Sequence, residues 1–242
     1  MKISHLYFSA NQETEKIAHI FHSKLKGDSI DLTDYFVRRD FSMAKHDLVI
    51  LSVPVYANAY PKPLKTLLPK INATYIFINI SYGGYSLGST LYELSQSIKS
   101  TVIGYSVQPT RHTYCQEESA IEASFYECII ERIIKHDFHP ITVPFQKRNW
   151  LEHKTEPYRT KHNIKIRAIP SRCTHCGTCQ RICPVQAIDQ TLKIDTKCLR
   201  CLRCVHRCEE KALIAKKALG LRLYLKYKKR TKEGMIHLGN QP

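Results

Sequence analysis

Short apolar runs alternate with segments of helical periodicity along the first 145 residues. The runs have the length and composition of buried β-strands and lie at Ile3–Ser9, Ser29–Leu32, Asp47–Val53, Thr74–Ile80 and Val102–Val107. Between them apolar residues recur every three or four positions, as at Ile17, Phe21 and Leu25, and a last helix places Cys128 on its apolar face. Strands that alternate with helices form a parallel sheet with covered faces. The pattern predicts an α/β domain with one doubly wound, five-stranded parallel sheet.

Eight of the ten cysteines follow this domain in two quartets of the same C-x2-C-x2-C-x3-C spacing, 25 positions apart. Such a run wraps three corners of a 4Fe–4S cubane with one loop, and in a two-cluster arrangement its fourth cysteine binds the other cluster. The spacing therefore predicts cluster I on Cys173, Cys176, Cys179 and Cys208. It predicts cluster II on Cys198, Cys201, Cys204 and Cys183.

Zinc and disulfide bonds are the alternative uses of these cysteines. A zinc site takes four ligands from two C-x2-C pairs, fewer than two evenly spaced quartets supply. The flanking residues repeat as well, because Ala187 follows Cys183 at the offset at which Ala212 follows Cys208. This duplicated unit resembles the bacterial two-cluster ferredoxins, although Glu209 stands where their second cluster run usually has a proline. The resemblance implies an electron carrier.

Length and composition fit a protein of one or two packed domains. The chain has 242 residues, of which 43% are hydrophobic. No apolar run approaches the length that crosses a bilayer, and the N-terminal segment lacks the layout of a signal peptide. We expect no membrane span and a cytoplasmic location, where the reducing conditions also suit thiolate-bound iron.

Positive charge is concentrated in the part that holds the cysteine quartets. The formal net charge is +16; residues 1–150 contribute +2, from 16 Lys and Arg against 14 Asp and Glu, and residues 151–242 contribute +14. A basic surface attracts acidic proteins, anionic lipids and nucleic acids alike. Because no nucleic-acid-binding motif accompanies the charge, we expect acidic redox partners. We expect the residues of the cluster loops to attract the partner electrostatically, namely Arg200, Arg203 and Arg207. We expect a mobile basic tail that contains Lys226, Lys228, Lys229 and Arg230.

Three segments that follow predicted strands resemble the cofactor loops of flavodoxins. Ser9-Ala10-Asn11-Gln12-Glu13-Thr14 is similar to the phosphate loop S/T-G-T-G-N-T, and the segments starting at Pro54 and Ser81 look like the loops that enclose an isoalloxazine ring. The resemblance implies FMN as a cofactor, with contacts from Ser9, Asn11, Gln12, Glu13, Thr14, Pro54, Val55, Tyr56, Ala57, Ser81, Tyr82, Gly83, Gly84 and Tyr85.

The phosphate loop departs from the flavodoxin pattern at three positions. Ala10 and Gln12 replace glycines, so Gln12 must adopt a conformation that glycine reaches without steric cost. Glu13 brings a carboxylate to the place where a phosphate approaches the helix N-terminus. Retained FMN binding and an altered pocket both remain open, as do ring stacking and plain loop packing for the tyrosines.

The order of these parts matches the fused family called EFR ferrodoxins. The resemblance implies a flavodoxin-like domain over 1–145, a linker over 146–165, a small α+β two-cluster ferredoxin domain over 166–215 and a basic extension over 216–242. It also implies electron relay between the clusters and FMN, without a catalytic residue. A flavin-dependent reductase fed by the clusters and an iron–sulfur redox sensor that binds an acidic partner or nucleic acid are the alternatives, and the oligomeric state stays open.

Overall fold

A computed structural model describes residues 1–115, 120–147, 155 and 160–239. The linker predicted over 146–165 lies largely outside these residues. The described part contains one six-stranded sheet and one two-stranded sheet. The larger sheet belongs to the N-terminal half, and the smaller one belongs to the part that carries the cysteine quartets.

The first half alternates strands and helices as the apolar pattern predicts. In chain order its elements are β1 (Ile3–Tyr7), α1 (Glu13–Lys24), β2 (Asp28–Asp31), α2 (Tyr35–Arg39), β3 (His46–Pro54), β4 (Ala73–Tyr82), α3 (Thr90–Gln96), β5 (Thr101–Pro109) and α4 (Glu127–Ile134). The second half contains β6 (Ile164–Ala168), α5 (Thr178–Arg181), α6 (Arg203–His206), β7 (Leu213–Lys217), α7 (Leu219–Tyr227) and β8 (Met235–Leu238).

The first five strands form a parallel sheet in the order β2-β1-β3-β4-β5. This is the flavodoxin-like order, so the predicted fold class is confirmed. Apolar side chains cover both faces of the sheet in two separate clusters, one around Leu51 and Ile78 and the other around Phe21 and Phe77. In sheets of this class ligands approach the carboxyl ends of the strands, which places the loops after β1, β3 and β4 at one edge.

The C-terminal extension supplies a sixth strand, which the sequence analysis did not foresee. Strand β8 runs antiparallel to β5, with Gly104 opposite Leu238. A side chain at Gly104 would lie 2.7 Å from Leu238 Cδ2, so the glycine permits this approach. The extension is therefore not a mobile tail, because it completes the sheet and buries Leu238 in the core.

Helix α4 corrects the prediction for Cys128, which is exposed. The buried residues of this helix are Ile129, Ile130 and Ile133. The α-helix begins only at Glu127, after a 3-10 turn at Ala123–Tyr126. The helical spacing of apolar residues that starts at Ile121 in the sequence is therefore interrupted before α4. A 3-10 turn advances each residue by a larger angle than an α-helix, which rotates Cys128 out of the apolar stripe.

The two cysteine quartets lie in loops of matching backbone conformation, framed by the antiparallel pair β6 and β7. Left-handed residues recur 25 positions apart, at His175 and Arg200, at Gly177 and Leu202, and at Gln186 and Lys211. The duplication seen in the sequence is thus a duplication of structure. The turn after Cys208 forms without proline, since Lys211 N–H donates to Cys208 O as Gln186 N–H does to Cys183 O.

We predict that the free energy of unfolding falls as the pH drops from 6.5 toward 4, because His5 is buried in its neutral form. Its Nε2 contacts Leu25 O at 2.9 Å, its Nδ1 has no partner within the part of the chain that the structure describes, and burial lowers its pKa to about 4. In the unfolded chain His5 has a pKa near 6.5 and is protonated at a higher pH than in the folded protein. The free energy of unfolding therefore decreases below pH 6.5, by about 2 kcal/mol at pH 5.

Urea unfolding at pH 8 and pH 5 measures this loss, with His5→Gln as the comparison. The glutamine amide can still donate to Leu25 O but does not titrate in this range. A difference between the two pH values that is as large in His5→Gln as in the wild type would contradict the assignment.

Candidate metal centre and strand-end loops

The structure sorts the eight quartet cysteines into two cavities. Cys173, Cys176, Cys179 and Cys208 line one cavity, together with Arg207 and other loop residues. Cys183, Cys198, Cys201 and Cys204 line a second, narrower cavity. Each cavity therefore receives three cysteines from one run and the fourth cysteine of the other. These are the two sets that the sequence predicts for cluster I and cluster II.

Backbone N–H groups point at four of the sulfurs in the same repeated pattern. His175 N–H donates to Cys173 Sγ and Arg200 N–H to Cys198 Sγ, each at 3.4 Å. Ala187 N–H donates to Cys183 Sγ at 3.3 Å, and Ala212 N–H to Cys208 Sγ at 3.2 Å. Donors of this kind stabilise thiolate charge and raise the reduction potential of a bound cluster. The loops thus fit ligands that carry negative charge.

The two cavities differ in their access to solvent. Cys176 is exposed, whereas Cys183, Cys201 and Cys204 are buried. Burial raises the pKa of Cys201 to about 12 and moves the pKa of Cys204 further in the same direction, while hydrogen bonding to Thr178 lowers the pKa of Cys176. Because iron binds thiolates, occupation of the buried cavity releases protons. Cluster I would lie at the surface and cluster II in the interior.

The loop that carries Cys201 docks on the strand-end edge of the large sheet. Cys201 belongs to the apolar core of the N-terminal domain, and Leu199 packs against that core. Tyr114, in the loop after β5, donates its hydroxyl hydrogen to Arg200 O at 3.0 Å. Arg38, after β2, donates to Pro184 O. The second cavity therefore lies at the contact between the two parts of the chain.

Only one of the three arginines assigned to partner steering is positioned for that role. Arg207 is exposed and lines the first cavity. Arg203 is half-buried and donates to Ser9 O at 3.5 Å, and the buried Nε and Nη1 atoms of Arg200 have no partner among the described residues. The sequence groups these residues by spacing, but the docking of the loop turns Arg200 and Arg203 toward the domain contact.

The predicted phosphate loop forms between β1 and α1, with its side chains engaged by the protein. Gln12 has φ 70°, the left-handed conformation that its replacement of glycine requires. Ser9 Oγ accepts from Glu15 N–H at 3.0 Å, and the hydroxyls of Thr14 and Ser81 share a hydrogen bond of 2.7 Å. Asn11 Nδ2 lies 3.4 Å from Thr113 Oγ1.

Glu13 is buried, and its carboxylate is neutralised by two cations. Lys16 Nζ lies 3.0 Å from Glu13 Oε1, and Arg111 Nη2 lies 3.5 Å from the same oxygen. The Arg111 backbone N–H also donates to Glu13 Oε2 at 3.4 Å. The carboxylate therefore ties the helix N-terminus to the loop after β5. Positive side chains remain close to this N-terminus, so the phosphate end of the site retains the charge that an anion needs.

The loop after β3 turns tightly and directs Tyr56 inward. Val55 N–H donates to Ser81 O at 2.9 Å, just beyond Pro54 at the end of β3. Ala57 and the next residue both have positive φ, which closes the turn. The Tyr56 ring meets Phe8 edge to face, with the ring centroids 6.3 Å apart.

The glycines after β4 are covered by other parts of the chain. A side chain at Gly83 would meet the His112 ring at 2.0 Å, and one at Gly84 would meet Thr231 O at 2.7 Å. Arg230 donates to Gly83 O at 3.0 Å and to Thr110 O at 2.9 Å. Tyr82 is buried, and Tyr85 packs against Tyr224 of α7.

These contacts decide how far the strand-end loops fit FMN. The phosphate end of the site offers the N-terminus of α1, a helix of twelve residues, and neighbouring cations. At the ring end, the space beside Gly83 and Gly84 that a planar ring would need is occupied by His112, Thr231 and Arg230. In this conformation the residues at the ring end do not fit FMN. FMN binding therefore stays a prediction. The residues around Gly83 and Gly84 do not indicate that His112 and Arg230 cover them, because both come from distant segments.

Comparison with protein families identifies an iron–sulfur segment. The family described as 4Fe-4S binding domain matches residues 166–189, which contain the first cysteine quartet. The chain therefore contains a 4Fe–4S binding domain joined to a flavodoxin-like domain. No curated protein matches the sequence.

Several solved structures share a limited likeness with the chain. A short-chain flavodoxin associated with a bacterial microcompartment is 13% identical, with 56% of this chain and 98% of that chain covered and a TM-score of 0.42. A flavoprotein in complex with FMN from Lactobacillus acidophilus is 18% identical, with 43% and 91% covered and a TM-score of 0.33. An NAD(P)H:quinone oxidoreductase from Methanothermobacter marburgensis is 9% identical, with 60% and 99% covered and a TM-score of 0.37. At these TM-scores we base no assignment on them.

We predict that Arg230→Ala raises the affinity for FMN about thirtyfold over the wild type. The substitution removes two hydrogen bonds that hold the covered state of the loop after β4, each contributing about 1 kcal/mol. Fluorescence titration of the cluster-loaded protein with FMN measures the change. Lys228→Ala, which removes an exposed cation close by, is the control. Equal FMN affinity in the wild type and Arg230→Ala would show that this contact does not limit access.

Proposed function

We propose that the chain is an electron-transfer protein that carries two 4Fe–4S clusters with crossed ligation. The observation that carries the proposal is the division of eight cysteines between two cavities, each with three residues of one run and the fourth of the other. The match of residues 166–189 to a 4Fe-4S binding domain supports the chemistry of the first run. The second run has the same spacing, the same left-handed positions and the same N–H to sulfur contacts.

Each bound cluster supplies a site that accepts or releases one electron at a time. The loops hold eight thiolates in fixed positions, and the backbone N–H donors stabilise the negative charge that reduction adds. Exposed Cys176 gives cluster I access to a partner, whereas the buried cysteines keep water away from cluster II. Electrons therefore exchange with partners at cluster I, and cluster II is the inner centre beside the flavodoxin-like domain.

Iron and acid-labile sulfide analysis of anaerobically purified protein tests the proposal. Two cubanes contribute eight iron and eight sulfide per chain, with a broad visible absorption that dithionite bleaches. Stoichiometric zinc without sulfide would overturn it. In none of the helices within the described ranges is there a segment long and apolar enough to cross a membrane. We propose a cytoplasmic location, which suits a chain with thiolate-bound iron and no disulfide among its ten cysteines.

We predict that double substitutions distinguish crossed from uncrossed ligation. With crossed ligation Cys183 and Cys201 serve the same cluster, so the variant with both changed to alanine keeps four irons. Cys183 and Cys176 then serve different clusters, so changing both removes all eight irons. Iron and sulfide counts per chain give the answer directly. The opposite pattern, four irons after Cys183→Ala with Cys176→Ala, would establish uncrossed runs.

The partners that we propose are acidic redox proteins. The support is the net charge of +14 on residues 151–242 and the exposure of Arg172 and Arg207 beside Cys173 and Cys208. Glu209 and Glu210 line the same cavity, so the local charge is mixed and the basic field of the whole second half provides the attraction. Long-range attraction of this kind raises association rates at low ionic strength.

We predict that electron transfer from an acidic ferredoxin slows as salt rises, since the Debye length falls to about 8 Å near physiological ionic strength. Arg172→Gln with Arg207→Gln should lower the stopped-flow rate severalfold at low salt and have little effect at high salt. Lys226→Gln with Lys228→Gln removes the same charge from α7 and its end as a control. If the rate of electron transfer changes neither with salt nor with either double substitution, steering of the partner by the exposed arginines is excluded.

A further inference from the structure

The contact between cluster II and the sheet domain contains buried hydrogen-bond donors without acceptors. The Tyr56 hydroxyl is inaccessible to solvent, and its hydrogen finds no acceptor in the described part of the protein, although the Ala10 backbone N–H interacts with its oxygen. Arg200 Nε and Nη1 are in the same state. A buried donor without an acceptor costs about 1–3 kcal/mol, and more when it is charged. Unsatisfied donors on both sides of the contact between the Cys201 loop and the sheet domain are consistent with an acceptor that binds between these parts.

Both residues belong to the surroundings of the second cavity. Arg200 lies in the loop between Cys198 and Cys201, two of the residues that line it. Tyr56 packs against the same apolar core as Cys201, although it comes from the loop after β3. The Tyr56 hydroxyl is thus buried close to the core on which the Cys201 loop docks.

A 4Fe–4S cluster with four thiolates is an anion whose sulfurs accept hydrogen bonds. Such a cluster in the second cavity would supply the acceptors that the protein lacks at this contact. Tyr56 is the one of these donors that the flavodoxin-like domain provides. The family resemblance places Tyr56 beside a flavin ring, but in the structure its ring meets Phe8 and packs against the apolar core that contains Cys201.

We propose that the Tyr56 hydroxyl donates a hydrogen bond to a sulfur of cluster II, either a cysteine thiolate or a cluster sulfide, and thereby favours its reduced state. Reduction adds one electron, and the donor stabilises the added negative charge without transferring its proton. The flavodoxin-like domain then acts on the redox chemistry through its own residue. This inference rests on the proposed function.

Tyr56→Phe tests the bond because it removes the hydroxyl and keeps the ring. A redox titration followed by electron paramagnetic resonance resolves the two clusters, with the signal of cluster II defined as the one lost in Cys201→Ala. We expect the equilibrium constant for reduction of cluster II to fall about tenfold in Tyr56→Phe, which is 59 mV for one electron, and that of cluster I to stay unchanged. Tyr60→Phe is the matched control, since Tyr60 lies in the same loop and its hydroxyl contacts Ser97 Oγ at 3.4 Å.

A cluster II potential that does not move in Tyr56→Phe protein with eight irons overturns the inference and leaves the proposed function intact. Absence of clusters from the unsubstituted protein overturns the function itself. An equal shift in Tyr60→Phe also overturns the inference, because it shows a general effect of the loop.

A second measurement avoids the risk that Tyr56→Phe assembles poorly. Protein that contains 3-fluorotyrosine has more acidic phenols, which are stronger donors, so reduction of cluster II should become more favourable relative to cluster I. The sign is opposite to that expected for Tyr56→Phe. No change of cluster II relative to cluster I in the fluorinated protein contradicts the proposed bond.

Discussion

The contact of the Cys201 loop with the strand-end edge of the sheet is the interaction on which the arrangement of the protein depends. Cys201 is at once a residue of the second cysteine cavity and a member of the apolar core around β3 and β4. Apolar burial stabilises such a contact but does not specify the orientation of the two parts. The hydrogen bonds from Tyr114 to Arg200 O and from Arg38 to Pro184 O then fix that orientation. As a result, Cys201 and Leu199, which line the second cavity, pack against the core of the N-terminal domain, and the first cavity faces outward.

This arrangement explains why the loops after β1, β3 and β4 differ from the flavodoxin pattern. An open cofactor edge needs glycines with free faces, whereas here the edge meets the cysteine loops, His112 and the C-terminal segment. Glu13 is tolerated in the interior because Lys16 and Arg111 balance its charge. A buried carboxylate that is paired in this way costs far less than an isolated one. The departures in sequence and the closed edge are therefore consistent with one another.

Much of the fold follows from short-range patterns. The five parallel strands are predictable because buried strands are continuous apolar runs, and the two sets of cysteines are predictable because a cubane restricts the spacing of its ligands. The rest depends on contacts between distant segments. Strand β8 has four residues, which are too few to be recognised in the sequence. The 3-10 turn before α4 moves Cys128 out of the apolar stripe. The orientation of Arg200 and Arg203 depends on how their loop docks on the sheet domain. The close approach of β8 to β5 becomes visible only in the structure, where Gly104 leaves room for Leu238.

The position of β8 changes what kind of fusion this chain is. Because the last strand returns to pair with β5, residues 164–217 are an insertion between two strands of one sheet and not a module appended to its end. Cutting the chain after the second cysteine run would remove β8 and expose the backbone N–H and C=O groups of β5 along a new sheet edge. Such an edge pairs readily with other chains. A truncation that removes the iron–sulfur part from its end therefore also removes a strand of the large sheet, whereas an internal deletion between β5 and β8 leaves all six strands in the chain.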